Sequence, residues 1–128
     1  MLPKAHRLRR PRDFRRVQQL GETVRGPLLS LTVAPGVTSA TRIGFVVSRK
    51  LGGAVCRNRV RRRLRAACSV RLADLAPAHD LVVVARSGAG SARYAEIDAA
   101  IEAALTEAGV LGRRDTQADG TCETPSSS

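Results

Sequence analysis

The segment SRKLGGAVCRNRVRRRLR, Ser48 to Arg65, holds seven arginines and one lysine and contains no acidic residue. Apolar residues nevertheless interrupt the charge at the steps of one helix face. The residues of this apolar stripe are Val60, Leu64, Ala67 and Cys68. A disordered basic tail has no such periodicity, so the segment predicts an amphipathic helix that buries one side.

The helical period of 100° per residue also divides the polar residues of this helix between its faces. Asn58, Arg62 and Arg65 fall opposite the apolar stripe, and Arg61 lies between the two faces. The other flank carries Arg59 and Arg63, and Arg57 falls on the apolar side in the first turn. The outward face is therefore polar and basic.

Like charges recur four residues apart along this helix, in the pairs Arg57–Arg61, Arg59–Arg63 and Arg61–Arg65. Each such pair disfavours folding by about 0.2–0.5 kcal/mol, and no acid compensates it. A bound polyanion would remove the repulsion. The pattern therefore indicates a binding surface for something negative rather than an ordinary solvated face.

The whole chain supports that interpretation. Its 128 residues correspond to about one domain, 43% of them are hydrophobic, and the net charge is +11. By segment the net charge is +6 over residues 1–26, +10 over 27–72 and −5 over 73–128. Arginine binds phosphates in a planar, bidentate manner, so the partner is expected to be a structured nucleic acid. The residues alone leave DNA and RNA both open.

The elements before the basic helix follow from periodicity and from turn residues. Pro11 and Gly21 bound a short predicted helix, and a strand is expected near residues 23–26. Segments 28–34 and 42–48 alternate apolar and polar residues as half-buried strands do. The loop PGVTSAT between them predicts an antiparallel hairpin.

After the basic helix, the unbroken apolar run DLVVVAR, residues 80–86, predicts a central strand that is covered on both faces. Residues 94–108 predict a second long helix, acidic on its outside and ended by Gly109. We expect a basic N-terminal arm over 1–10, one α/β domain over 11–110 and a disordered tail over 111–128.

The sequence offers little for catalysis by the protein itself. The basic half contains only Asp13 and Glu22 as acids, so neither a metal-holding carboxylate cluster nor a catalytic triad can be assembled there. The three cysteines of the whole chain form no C-x-x-C pair and are expected to be free thiols in a reducing cytoplasm. No run of about 18 apolar residues predicts a membrane span.

With these residues in place, the chain resembles the protein subunit of bacterial ribonuclease P from about residue 7 to residue 108. The likeness includes RPRDFRRV and DLVVVAR, and its most specific part is RIGFVVSRKLGGAVCRNRVRRRLR. There the chain satisfies the family pattern R-x-G-F-x-V-S-[KR]-K-x-G-x-A-V-x-R-N-R-x-[KR]-R-x-x-R from Arg42 to Arg65.

The resemblance implies an α+β fold like that of some ribosomal proteins, a two-layer sandwich with the order α-β-β-β-α-β-α. It further implies a mixed sheet of about four strands and a left-handed β-α-β crossover, against the usual right-handed preference. The implied role is that of an accessory subunit without catalytic residues. It would bind the catalytic RNA and help it cut the 5′ leader from precursor tRNA, with Mg²⁺ held by the RNA.

The resemblance also assigns residues to the two RNA ligands. Phe14, Arg15, Arg16 and Thr32 would bind the leader, in a cleft between the first helix and the sheet. Gln18 and Thr32 stand where relatives often carry aromatics, so polar contacts are expected to contribute more here. The catalytic RNA would be contacted by Arg49, Lys50, Arg57, Asn58, Arg59, Arg61, Arg62 and Arg65.

Two other functions compete with this one. A ribosomal or other structural RNA-binding protein would show the same basic face without any role in tRNA processing. A self-sufficient nuclease would cleave precursor tRNA without added RNA. The ribonuclease P role further implies a cytoplasmic protein without a membrane or an obligate protein partner.

Overall fold

The computed structural model describes residues 6–37 and 40–111 of the chain. The helices and strands follow one another in the predicted order, α-β-β-β-α-β-α. They are α1 (Pro11–Leu20), β1 (Glu22–Arg25), β2 (Leu29–Pro35), β3 (Arg42–Val46), α2 (Ala54–Ser69), β4 (His79–Ala85) and α3 (Tyr94–Glu107). Short 3-10 turns occupy Arg49–Leu51, Leu72–Asp74 and Ser87–Gly90.

The four strands form one mixed sheet in the order β1-β2-β4-β3. β4 runs antiparallel to β2, pairing Val83 with Leu31, and parallel to β3, pairing Val83 with Phe45. Because β4 is apolar at every position from Leu81 to Ala85, it is most stable where neighbours cover both of its faces. The predicted central strand and mixed α+β fold are confirmed.

The predicted hairpin between β2 and β3 is wrong, because β4 lies between them. Strands two places apart lie roughly 10 Å from each other, a gap that the six residues 36–41 span easily. The β3-α2-β4 unit is thus a parallel crossover connection, as the resemblance implies. Its left-handed sense stays a prediction.

One face of the sheet packs against α2 and α3 and contains the main core. The predicted apolar stripe of α2 is buried there, with Val60, Leu64 and Ala67 each at 0% exposure. α3 contributes Ile97, Ile101 and Leu105 to the same core. Burying these side chains holds α2 with its opposite face toward solvent, as the sequence predicts.

The other face of the sheet is covered in part by α1. Val17 is fully buried against Ala34 and Val82, and Phe14 packs beside them in a second, smaller cluster. The sandwich therefore carries a helix on this face in addition to the two expected layers. For the same reason β2 is covered on both faces and not half-buried.

Part of the predicted N-terminal arm belongs to the domain. Leu8 is 3% exposed, and its backbone N–H donates to the carbonyl of Ile43 at 3.0 Å. At the other end, Leu111 is buried and pairs with Leu75, so the domain reaches one residue into the predicted tail. Residues 1–5 of the arm and 112–128 of the tail lie outside the described residues.

A buried ion cluster joins α1 to the sheet. Asp80, which is 0% exposed on β4, accepts from Arg42 Nε at 3.0 Å, from Arg42 Nη2 at 2.9 Å and from Arg16. Burial alone would raise the pKa of Asp80, but hydrogen bonds and charge from Arg42 and Arg16 outweigh it and lower that pKa. Asp13 lies within 4 Å of both arginines, so the two acids balance the formal charge of the two arginines.

A second ion cluster links the end of α2 to α3. Arg71 donates to Asp98 Oδ1 at 2.7 Å and to Glu102 Oε1 at 3.0 Å. The hydrogen bond from Arg71 lowers the pKa of Asp98. Two acids that the sequence assigns to the solvent-facing side of α3 therefore have a structural role.

Between α2 and α3, burial raises the pKa of the Cys68 thiol to about 12, which keeps this thiol unreactive at neutral pH.

The Asp80 cluster predicts a specific pH dependence of stability. Because the pKa of Asp80 is lower in the folded state, its stabilising effect is full above its ordinary value near 3.8 and is lost as the pH falls through the folded value. We expect Asp80→Asn to lower the free energy of unfolding by about 3 kcal/mol at pH 7 and by progressively less in acid. Denaturant unfolding of both proteins from neutral pH to about pH 2 measures this difference.

The exposed carboxylate of Glu22 on β1 provides the control, since Glu22→Gln should change stability little at any of these pH values. A stability loss in Asp80→Asn that stays the same at every pH would mean that Asp80 acts by shape and not by charge.

The buried face of α2 gives a second stability prediction. Leu64→Ala removes a side chain with 0% exposure and should cost about 3 kcal/mol through lost burial and the cavity it leaves. Arg62→Ala, two residues away and exposed, should leave the melting temperature nearly unchanged. Thermal unfolding of both variants checks the helix face, and equal melting temperatures would refute it.

Candidate nucleic-acid interface

A capped turn leads from β3 into the basic helix. The Ser48 hydroxyl accepts from the backbone N–H of Lys50 at 3.3 Å and so begins the 3-10 turn Arg49–Leu51. Gly52 follows at φ +130°, a conformation that other residues rarely adopt. This turn leaves Arg49 and Lys50 exposed just ahead of the N-terminus of α2.

The outward face of α2 presents the residues that the helical period places there. Asn58, Arg62 and Arg65 are exposed, and together with Arg61 they line a surface cavity of about 400 Å³. Arg61 Nη1 donates to Asn58 Oδ1 at 3.3 Å, so Asn58 orients one guanidinium of the group. Four donor-rich side chains on one face suit contacts with successive phosphates.

Arg59 differs from these residues, because it points toward the protein. Its guanidinium donates to the carbonyl of Gly90 at 3.3 Å and approaches Cys56 Sγ at 3.7 Å. Arg63, on the same flank, donates to the carbonyl of Ala92 at 2.7 Å. Two of the arginines predicted to repel their neighbours thus bind backbone oxygens instead. Arg59, expected to contact RNA, serves first to hold the segment before α3.

Arg57 is half-buried on the apolar side of the first turn of α2, as predicted. Among the described residues, the Nε atoms of Arg57 and Arg59 are buried without a hydrogen-bond partner. Neither group is as open to an RNA ligand as Arg62 or Arg65. The helical period already sets Arg57 apart from Arg62 and Arg65, whereas the inward direction of Arg59 follows from its contact with Gly90 in the fold. The resemblance groups all four together.

A second cavity, of about 410 Å³, lies at the β3 edge of the sheet. Phe14 from α1 and Phe45 from β3 line it, and Arg61 and Arg65 from α2 complete it. The structure therefore brings the aromatic residue expected to bind the leader next to two arginines expected to bind the catalytic RNA. These residues lie up to about fifty positions apart in the sequence, so only the fold joins them.

Gly44 explains why Phe14 can lie in this cavity. A Cβ atom added at Gly44 would stand 2.4 Å from Phe14 Cζ and 3.0 Å from the carbonyl oxygen of Leu8. The first distance is shorter than real Cβ atoms show, and the second is tighter than most of their contacts, so a side chain here would displace the Phe14 ring. The glycine of the R-x-G-F motif therefore provides the space in which the Phe14 ring rests against β3.

The other residues expected to bind the leader divide into three cases. Arg15 is exposed on α1 and available to a ligand. Arg16 is engaged by Asp80 and by the carbonyl of Pro35 at 3.1 Å, so much of its binding capacity is used within the protein. Thr32 is 5% exposed, and its hydroxyl lies 3.0 Å from that of Thr23. α1 covers that face of β2, so little of Thr32 is open to a ligand, and its expected contact with the leader stays a prediction.

Three residues of the cavity at the β3 edge are not predicted from the sequence. Arg7 and Arg9 line it because the backbone of Arg7 and Leu8 pairs with β3. The alternation of residues 42–48 places Phe45 on the apolar side of the strand; in the structure it packs against the core and also borders the cavity. Neither the aperiodic N-terminal segment nor strand alternation signals this arrangement.

The charged donors of this surface are guanidinium groups and the ammonium group of Lys50, which bind anions and repel metal cations. In the part of the chain that the structure describes, no three histidine, cysteine or acidic side chains come together as a metal site. No helix within those same residues is long and apolar enough to cross a membrane.

Known proteins resemble this chain in sequence and in fold. A sequence model of the family described as Ribonuclease P matches residues 2–109. The ribonuclease P protein component of Chloroflexus aurantiacus is 52% identical over 84 residues, which cover 66% of this chain and 62% of that relative. The corresponding protein of a Roseiflexus species is 39% identical over 116 residues, covering 90% and 95%.

Solved structures with a similar fold are also ribonuclease P proteins. The ribonuclease P protein of Staphylococcus aureus superposes with a TM-score of 0.79 at 30% identity, covering 85% of this chain and all of that one. The ribonuclease P protein of Thermotoga maritima gives a TM-score of 0.72 at 23% identity, covering 79% and 96%, a likeness of fold alone.

The fold and its arginine-rich face define the class of small basic α+β proteins that bind nucleic acid. Within that class, the chain belongs to the ribonuclease P protein family. A protein component of this family is the accessory subunit of an endoribonuclease holoenzyme and partners the RNA of that enzyme; the protein itself is not the catalyst.

The division of the α2 arginines into outward and inward groups is testable. Arg62→Ala and Arg65→Ala should each weaken RNA binding and lower the slope of log affinity against log salt by about 0.9, with little change in melting temperature. Arg59→Ala should instead lower the melting temperature, because it loses the contact with Gly90. Filter binding over a salt series, together with thermal unfolding, separates the two effects. Equal salt slopes for all three variants would contradict the division.

Proposed function

We propose that this protein joins the catalytic RNA of ribonuclease P and helps it remove the 5′ leader from precursor tRNA. The observation that carries the proposal is the junction of two surfaces. Arg61 and Arg65 line both the cavity on the outward face of α2 and the cavity that holds Phe14. One continuous surface thus offers phosphate contacts beside an aromatic ring, which suits folded RNA and a single strand together.

In this proposal the catalytic RNA contacts the outward face of α2 and the turn before it. Asn58, Arg62 and Arg65 lie exposed there, with Arg49 and Lys50 ahead of them. The leader lies in the cavity at the β3 edge, where a base stacks on Phe14 and Arg15 reaches a phosphate. Arg16 is bound to Asp80 and the hydroxyl of Thr32 pairs with that of Thr23, so neither side chain is assigned to the leader here. Arg16 instead holds α1 on the sheet.

The protein supplies affinity and specificity, and hydrolysis belongs to the RNA with Mg²⁺ ions that the RNA holds. A surface of arginines repels such cations, so we do not expect it to bind Mg²⁺. The same proposal places the protein in the cytoplasm. Membership in the ribonuclease P family favours this role over that of a ribosomal protein.

Reconstitution tests the proposal. At low Mg²⁺, adding the protein to the catalytic RNA should increase leader removal from precursor tRNA, because the arginines offset phosphate repulsion between the two RNAs. The double variant Arg62→Ala/Arg65→Ala should lose most of this gain. Single-turnover cleavage of a labelled precursor, measured over a Mg²⁺ series, gives the rates.

The matched control is Arg25→Ala/Arg86→Ala, which removes the same charge from exposed positions on β1 and after β4. It should retain the gain in rate. Leader removal that does not respond to the wild-type protein would refute the proposed function. Cleavage by the protein alone would point to a self-sufficient nuclease.

A further inference from the structure

A third cavity, of about 990 Å³, extends the interface onto the N-terminus of α1. Arg7 and Arg9 line it and also line the cavity that contains Phe14. Arg10 and Arg12 form its outer part. Three adjoining cavities therefore run from the outward face of α2, around the β3 edge and across the start of α1. We name residues Arg9, Arg10 and Arg12 the N-terminal arginine patch.

The patch has charge that the protein does not use for folding. All three side chains are exposed, and among the described residues none of them makes an ion pair. Asp13, which follows Arg12 in the chain, already lies within 4 Å of Arg16 and Arg42. Arg10 and Arg12 also lie at the positive end of the dipole of α1, where a cation is unfavourable. Folding alone thus disfavours these arginines, as it disfavours those of α2.

The position of the patch is fixed by the sheet and not by a loose arm. The backbone N–H of Leu8 donates to Ile43, and the side chain of Leu8 is buried against Val17 and Val82. Arg9 and Arg10 follow directly, and α1 begins at Pro11. The patch is therefore held at a set distance from Phe14, which a ligand that spans both sites requires.

We propose that the N-terminal arginine patch binds the phosphates of the leader beyond the bases at Phe14. This inference rests on the proposed function above and extends the path of the leader. Single-stranded RNA is the ligand that this shape favours, because a curved basic groove with aromatic rings at one point tracks a flexible backbone. A rigid A-form helix could not follow the turn around the β3 edge.

The test uses the reconstituted holoenzyme and a series of precursor tRNAs whose leaders grow one nucleotide at a time. Each substrate is blocked at the cleaved bond, so that binding is measured without reaction. The double variant Arg10→Ala/Arg12→Ala should bind short-leader substrates and mature tRNA as the wild type does. Once the leader reaches the patch, its affinity should be about tenfold lower, and its salt slope should fall by about 0.7 for each arginine removed.

Arg25→Ala/Arg86→Ala again loses two charges and should bind every substrate as the wild type does. The melting temperature of Arg10→Ala/Arg12→Ala should stay the same or rise, because the variant relieves repulsion at the start of α1. Its affinity for the catalytic RNA alone should match that of the wild type. A loss that is equal at all leader lengths, or weaker binding to the catalytic RNA alone, would overturn the inference.

These outcomes are distinct from failure of the proposed function. If the wild-type protein gives the holoenzyme no gain in leader removal, the proposed function fails first. If the wild type gives that gain but the double variant shows no dependence on leader length, only the role of the patch is refuted.

Discussion

The arrangement of the interface depends on the ion pairs that the buried carboxylate of Asp80 makes with two arginines. Asp80 lies on the central strand, and it binds Arg42 at the start of β3 and Arg16 on α1. An unpaired charge at that buried position would strongly destabilise the folded state, so both arginines are held beside Asp80. In consequence α1 is fixed across the sheet, Phe14 rests against Gly44, and the chain entering α1 runs along the β3 edge.

Arginines in this protein perform two different tasks, and exposure separates them. Arg16, Arg42, Arg59, Arg63 and Arg71 bind carboxylates or backbone carbonyls and connect elements that lie far apart in sequence. The arginines on the outward face of α2 and at the start of α1 are exposed, and they do not stabilise the folded state. Their mutual repulsion persists in the free protein and is relieved only by an anion. Free energy given up in folding is thereby recovered on binding.

Much of the architecture was predictable, because it follows from local periodicity. The stripe of α2, the all-apolar run of β4 and the Gly109 end of α3 each specify an element from neighbouring residues. Strand pairing was not predictable in this way, since β2 and β3 alternate like a hairpin yet each pairs with β4. Pairing depends on which strand most needs cover on both faces, and that is a property of the whole sheet.

The interface shows the same limit. The residue pattern was enough to predict that a helix with Val60 and Leu64 on its buried side presents Asn58, Arg62 and Arg65 outward, because the helical period fixes relative direction. That Thr32 is covered, that Arg59 points inward and that Arg7 and Arg9 adjoin Phe14 follows from the fold alone. Those outcomes depend on which elements pack against each position, and packing joins residues that no local pattern connects.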